Sequence, residues 1–168
     1  EGRPVGLLPF SVLGPMDRTV DDAYLLLQAQ MGVDPHDPFS TAPDVDLFAP
    51  LESADLGSIK AMITPDLGGA PMSNSYRSIF AKRVETFSRY FASAENGTPD
   101  FTDADNCFEV LRGVNFVAAH GERVRMHRDK LSPNVVDNVD RGLAYSLEDV
   151  AIAHLQQSQI ARNWLDLF

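Results

Sequence analysis

The sequence predicts a helix-rich α/β chain with few strands. Three observations carry this reading. Five segments show helical spacing or helix-start signals, only one stretch (58–64) reads as a strand, and the composition is that of a globular chain, 44% hydrophobic and 23% charged. A lone strand cannot satisfy its own backbone N–H and C=O groups, so it needs neighbours. The 168 residues are expected to form one piece, 1–168, with part of a larger sheet lying elsewhere.

Residues 1–18 are an apolar lead-in punctuated by Pro9 and Gly14-Pro15. Thr19 then has the chemistry of a helix N-cap, and Asp21 and Asp22 sit in the first turn, where carboxylates interact well with the helix dipole. Val20, Ala23, Tyr24, Leu27 and Met31 form one helical stripe. Gly32 is placed to end the helix in a left-handed conformation. Pro35, Pro38, Pro43 and Pro50, closed by Gly57, mark a surface connection over 33–57.

Ser58 to Thr64 is the strand candidate, followed by an Asp66-Leu67-Gly68-Gly69-Ala70-Pro71 turn. A second helix is expected from Ser73, with Ile79, Phe80, Val84, Phe87 and Phe91 on one face, stopping near Asn96-Gly97. Residues 98–105 form a short loop with capping residues. A third helix follows from about Asn106. Phe108, Leu111, Val114, Phe116 and Val117 cover most of its circumference, which predicts a buried first half; Glu122 to Lys130 turn polar. Ser132-Pro133 opens a fourth helix, with proline at the favoured first position and Gly142 as its expected end. Ser146 and Asp149 open a fifth, which carries Val150, Ile152, Leu155, Ile160, Trp164 and Leu165 to the end of the sequence without a stop signal. That ending, with the unpartnered strand, suggests a piece of a longer protein.

Composition narrows the functional classes. Lys and Arg total 14 against 24 Asp and Glu, a formal charge of -10. A nucleic-acid surface needs clustered cations. The densest basic stretch, Arg123, Arg125, His127, Arg128 and Lys130, is interrupted by Glu122 and Asp129 and reads as a solvated helix face. No apolar run is long enough to span a bilayer, and no signal pattern opens the sequence. The expectation is a cytoplasmic protein that binds neither nucleic acid nor membrane.

Local constellations are weak. Ser58 and Lys60 would point to one side of a strand, the arrangement of a serine–lysine dyad, but no oxyanion-hole loop accompanies them. His120 and His127 stand two helical turns apart, about 10 Å, too far to share one metal. His36 between Asp34 and Asp37 could meet a hard cation, but simple loop polarity is the preferred reading. Gly68-Gly69 lacks the basic residue of a phosphate cradle. Cys107, the single cysteine, reads as a small core residue, with a depressed pKa at a helix start as the alternative. No metal or cofactor is expected.

Residues 6–43 resemble the amidase signature family. The matching run is Phe10-Ser11-Val12-Leu13-Gly14-Pro15-Met16-Asp17-Arg18-Thr19-Val20-Asp21-Asp22-Ala23, then Leu25-Leu26-Leu27, then Gly32-Val33-Asp34-Pro35-His36-Asp37-Pro38-Phe39-Ser40. Ile59 to Gly69 continues it with a strand and a Pro-Asp-Leu-Gly-Gly turn; Phe108 to Arg112 matches more loosely. The resemblance implies a three-layer α/β/α fold of which this chain is a helix-rich portion. It implies a parent enzyme that hydrolyses a non-peptide carboxamide through an acyl-serine, using a serine nucleophile, a second serine in a cis peptide, a lysine base and a Gly/Ser-rich oxyanion loop.

In that family the catalytic residues precede the Gly-Pro-Met region. Here only Glu1 to Leu13 precede it, and Lys60, Lys82 and Lys130 all follow it. No catalytic residue is carried over, so the expected role is scaffold on the C-terminal side of an amidase domain, inactive alone. The resemblance also brings the third helix towards the acyl side of a small amide substrate, which makes Phe108, Leu111 and Arg112 candidates for a pocket wall. The family usually has a further strand after the second helix; the few residues between Ala94 and Pro99 leave it absent or very short. The rival expectation is a non-catalytic helical interaction module that binds a partner or a second copy through an exposed apolar face.

Overall fold

The structure is a computed structural model that describes residues 14–37, 39–43 and 49–167. The chain divides into two compact units, Glu1–Ser53 and Ala54–Phe168. The boundary falls inside the Pro-rich connection. Among the described residues there are five α-helices and two strands.

The first unit holds α1, Val20–Gln30. The Thr19 hydroxyl accepts the Asp22 N–H at 3.1 Å, as its N-cap position requires. Ala23, Tyr24, Leu27 and Met31 are half-buried on one stripe, whereas Val20 is exposed. The helix ends where expected, with Met31 as its C-cap (φ -78°, ψ 142°) closing the last turn on the Leu27 carbonyl and Gly32 next in the chain. Gly32 has φ 155°, outside the left-handed helical basin. The Tyr24 hydroxyl donates to the Ala49 carbonyl at 2.6 Å and ties the connection to the helix. Most of the apolar lead-in, 1–13, lies outside the described residues.

The second unit begins with a β–α–β arrangement. A 3-10 turn over Leu56–Ser58, capped by the Asp55 carboxylate, takes Ser58, the first residue of the expected strand, and Ile59 is its C-cap. Strand β1 is therefore Lys60–Ile63. Helix α2, Asn74–Phe87, starts where the Ser73 hydroxyl accepts the Tyr76 N–H at 3.2 Å. It does not reach Asn96. A 3-10 turn over Ser88–Tyr90 breaks it, and Ser93–Asn96 forms β2, parallel to β1 with Lys60 opposite Ser93 and Ile63 opposite Asn96. The Ala92 N–H donates to the Ile59 carbonyl (2.9 Å) and the Gly97 N–H to the Ile63 carbonyl (3.0 Å), one at each end of the ladder.

The physical reason for the early break is hydrogen-bond satisfaction. β1 needs a partner, a parallel partner needs a crossover of a dozen residues or more, and α2 provides it. The very short strand thus exists, within this chain. Of the expected α2 face, Phe80, Val84 and Phe91 are half-buried, but Ile79 and Phe87 are exposed.

Three helices complete the unit. α3 runs over Ala104–His127, about 36 Å, with Asp103 in left-handed conformation as its N-cap. α4 is Pro133–Ala144 and α5 is Leu147–Leu165. Both pack on α3. Cys107, Val110 and Leu111 of α3 and Ala153 of α5 form the core, flanked by Tyr145, Val150 and Ile160. Burying side chains such as Val110 and Leu111 contributes about 1.5–3 kcal/mol each. The burial all round that composition predicts for the first half of α3 does not hold: Phe108 is half exposed.

Helix α4 does not stop at Gly142 but passes through it, because Gly142 faces Gly113 of α3 and lets the two backbones touch. α5 has the capping box expected of Ser146 and Asp149: the Ser146 hydroxyl accepts the Asp149 N–H at 3.1 Å, and the Asp149 carboxylate accepts the Ser146 N–H at 2.7 Å. No helix among the described residues is long and apolar enough to cross a membrane.

Candidate functional site

In open α/β sheets, ligands bind beyond the carboxyl ends of the strands where neighbouring connections leave to opposite faces and open a crevice; the described sheet has one parallel pair, β1-β2. A groove of about 740 Å³ lies at the carboxyl edge of this pair, between the 66–70 turn that follows β1 and the 98–105 segment that follows β2 and opens α3.

Backbone geometry holds the first wall. Leu67 and Gly68 both take positive φ (50° and 94°). The Asp66 carbonyl accepts from Gly69 N–H (3.0 Å) and Ala70 N–H (2.8 Å), and its carboxylate accepts from Gly68 N–H (3.2 Å) and the Arg77 guanidinium (3.0 Å). The Arg77 and Gly68 donors hold the Asp66 carboxyl below the usual aspartate range. Gly68 touches the second wall: a methyl group there would lie 2.6 Å from Thr98 Cγ2.

The second wall is anchored to α5. Phe101 stacks on Trp164 with ring centroids 5.8 Å apart, and the Asn163 side-chain amide donates to the Asp100 carbonyl at 3.2 Å. Asp100 accepts from Thr102 N–H at 3.0 Å, and the Thr102 side chain and backbone lower its carboxyl pKa. A second depression of about 460 Å³ separates this wall from Gln156, Gln159 and Arg162 of α5.

Asp66, Asp100, Asp103 and Asp105 give the groove acceptors and negative charge. It suits a neutral or cationic ligand rich in N–H donors. Its lining includes no serine, lysine, histidine or cysteine.

The sequence-derived pocket candidates Phe108, Leu111 and Arg112 line neither depression. Leu111 is 1% exposed and belongs to the core. Arg112 donates to the Asn138 side chain of α4 at 3.0 Å and lies over the rings of Phe108 and Phe116, at 5.6 and 5.0 Å. α3 reaches the groove with its first residues instead, and Asp103 to Asp105 are the ones sequence reasoning missed. The available signal is the aspartate-rich Pro-Asp-Phe-Thr-Asp loop before the helix.

The other constellations have local explanations. Ser58 lies in the 3-10 turn and donates to the Asp55 carbonyl at 2.8 Å, so it does not share a strand face with Lys60. Asp34 accepts from the His36 N–H (2.9 Å) and Asp37 from the Phe39 N–H (2.9 Å), which makes their loop a pair of side-chain-closed turns. His120 packs on Phe116. Cys107 is buried, its thiol donates to the Ala153 carbonyl at 3.3 Å, and burial raises its pKa; it is a core thiol rather than a reactive one.

Comparison of the chain with protein-family models, with curated proteins and with solved structures returned no match.

Proposed function

We propose that the chain is part of an amidase that hydrolyses a non-peptide carboxamide through an acyl-serine. In this reading it supplies scaffold and one wall of the substrate groove, and it is inactive alone. The observation that carries the reading is the place of the groove. Asp66-Leu67-Gly68-Gly69 of the turn, part of the amidase-signature resemblance, line the depression at the carboxyl edge of β1 and β2. The aspartates of the groove are acceptors for the N–H donors of a carboxamide or its leaving amine. The serine, lysine and oxyanion donors belong upstream of Gly14-Pro15.

Two experiments test this. The chain assayed on simple amides is expected to show no turnover; robust, serine-dependent hydrolysis would mean the chemistry is misplaced. A polypeptide extended upstream to include a lysine and a Ser/Gly-rich loop is expected to hydrolyse amides, and Ala70→Trp, which adds bulk in the groove, is expected to raise KM several-fold. An unchanged KM would remove the groove from the active site. The second reading, a non-catalytic helical interaction module, draws on the exposed leucines of α5.

A further inference from the structure

We infer that Asn96-Gly97 is a site of spontaneous deamidation that the end of the β1–β2 ladder holds closed. Asn96 is the one asparagine of the chain followed by glycine. In that pair no side chain shields the glycine nitrogen. The Gly97 nitrogen attacks the side-chain amide carbon of Asn96. An N–Cγ bond forms, the bond from Cγ to the amide nitrogen breaks, and ammonia leaves carrying the proton from the Gly97 nitrogen. The succinimide then takes up one water at either carbonyl, which leaves an aspartyl or an isoaspartyl residue at 96. Solvent water is the only co-reactant.

The fold exposes the electrophile and holds the nucleophile. Asn96 is the last residue of β2 and is exposed. The Gly97 N–H donates to the Ile63 carbonyl at 3.0 Å, the bond that closes the ladder. Asn96 is in strand register with Ile63, and its ψ must leave the extended region before the next nitrogen can meet Cγ. Met62 resists that rotation. A methyl group on Gly97 would collide with Met62 Sδ and Cγ, so this side chain lies against the Gly97 α-carbon. The reaction therefore proceeds from an opened ladder end. A sheet of two four-residue strands is marginal by itself, and such ends open more readily than the core. Conversion is irreversible and reaches the groove. The isoaspartyl form adds a methylene to the main chain just before Thr98, the residue that meets Gly68 across the two walls. Both products add a negative charge beside a groove already lined by aspartates.

The full chain incubated at mildly alkaline pH, native and in guanidinium chloride, tests this. Anion exchange reads the added charge, and peptide mass mapping reads the exchange of amide for acid. In denaturant, Asn96 is expected to convert faster than every other asparagine. In the native chain its conversion is expected to be slower by roughly tenfold or more, and to rise at low denaturant in step with hydrogen exchange at the Gly97 amide. Met62→Ala, at a 42% exposed position, is expected to speed native conversion several-fold with unchanged helical circular dichroism. Another asparagine converting first in denaturant overturns the proposal. So does a native rate equal to the denatured one, a native rate that does not follow exchange at Gly97, or a folded Met62→Ala variant that converts no faster.

Discussion

Gly113 of α3 and Gly142 of α4 meet backbone to backbone where the two helices cross. A methyl group on Gly113 would lie 2.9 Å from Gly142 Cα, and one on Gly142 would lie 2.7 Å from both the Gly113 carbonyl carbon and Val117 Cγ2. Backbone cannot yield as a flexible side chain can, so the helices would have to separate. Helix propensity favours alanine over glycine by about 1 kcal/mol, and overpacking of this kind costs roughly 1–3 kcal/mol or more. The steric cost wins. Gly142→Ala and Gly113→Ala are each expected to lower stability by roughly 1–2 kcal/mol net in urea unfolding. Gly121 is the control: a methyl group there meets only Val117 Cγ1, at 3.7 Å, and Gly121→Ala is expected to raise stability by roughly 0.5–1 kcal/mol.

The two walls of the groove are coupled at Gly68 and Thr98. Gly68→Ala imposes both a positive-φ penalty at 94° and a collision with Thr98 Cγ2. It is expected to cost roughly 1–3 kcal/mol. Thr98→Ser removes that methyl group, so the double variant should recover the steric part and keep the conformational part. A double-mutant cycle by urea titration measures the split; strict additivity would show that the walls do not touch.

Arg77 holds the Asp66 carboxyl low, with help from the Gly68 N–H. Because the folded pKa lies below the unfolded one, the ion pair contributes stability above the ordinary aspartate pKa and loses it as pH falls through the folded value. Asp140, paired with Arg128, and Asp149, bonded to Ser146, are lowered in the same way. Stability is therefore expected to fall on acidification below about pH 4. Arg77→Ala should let the Asp66 carboxyl titrate closer to its ordinary value in a carbon-detected NMR titration. An unmoved titration would mean that the turn, not the guanidinium, sets it.

Cys107 gives the alkaline counterpart. Its folded pKa is raised by burial, so its neutral form contributes stability below the unfolded thiol pKa. That contribution is lost as pH rises above it, because the unfolded chain then releases a proton that the folded chain keeps. A thiol reagent at neutral pH is expected to label the native chain only as fast as it opens. Labelling should accelerate with urea in step with unfolding. Rapid labelling of the native chain would place the thiol outside the core.

Residue chemistry within a few positions was legible without coordinates. Thr19, Ser73 and the Ser146–Asp149 box are caps because a side-chain oxygen reaches an N–H two or three residues on, a purely local event. The helix-rich character with few strands and the 66–71 turn follow from the same short-range rules. Where packing chooses, local reading fell short. Leu111 and Phe108, alike as apolar residues of one helix, part company because only one faces α5 and Ala153.

What the sequence determined by itself is where helices begin and which side chains are apolar, since both are set by neighbours along the chain. The tertiary structure decided where elements end and what meets across space. α2 stops at Phe87 because β1 needs Ser93–Asn96 as its partner. α4 continues through Gly142 because α3 offers Gly113 at the crossing. The groove forms at the carboxyl edge of two strands whose paired residues are 33 positions apart, brought together by hydrogen bonds that no local pattern encodes.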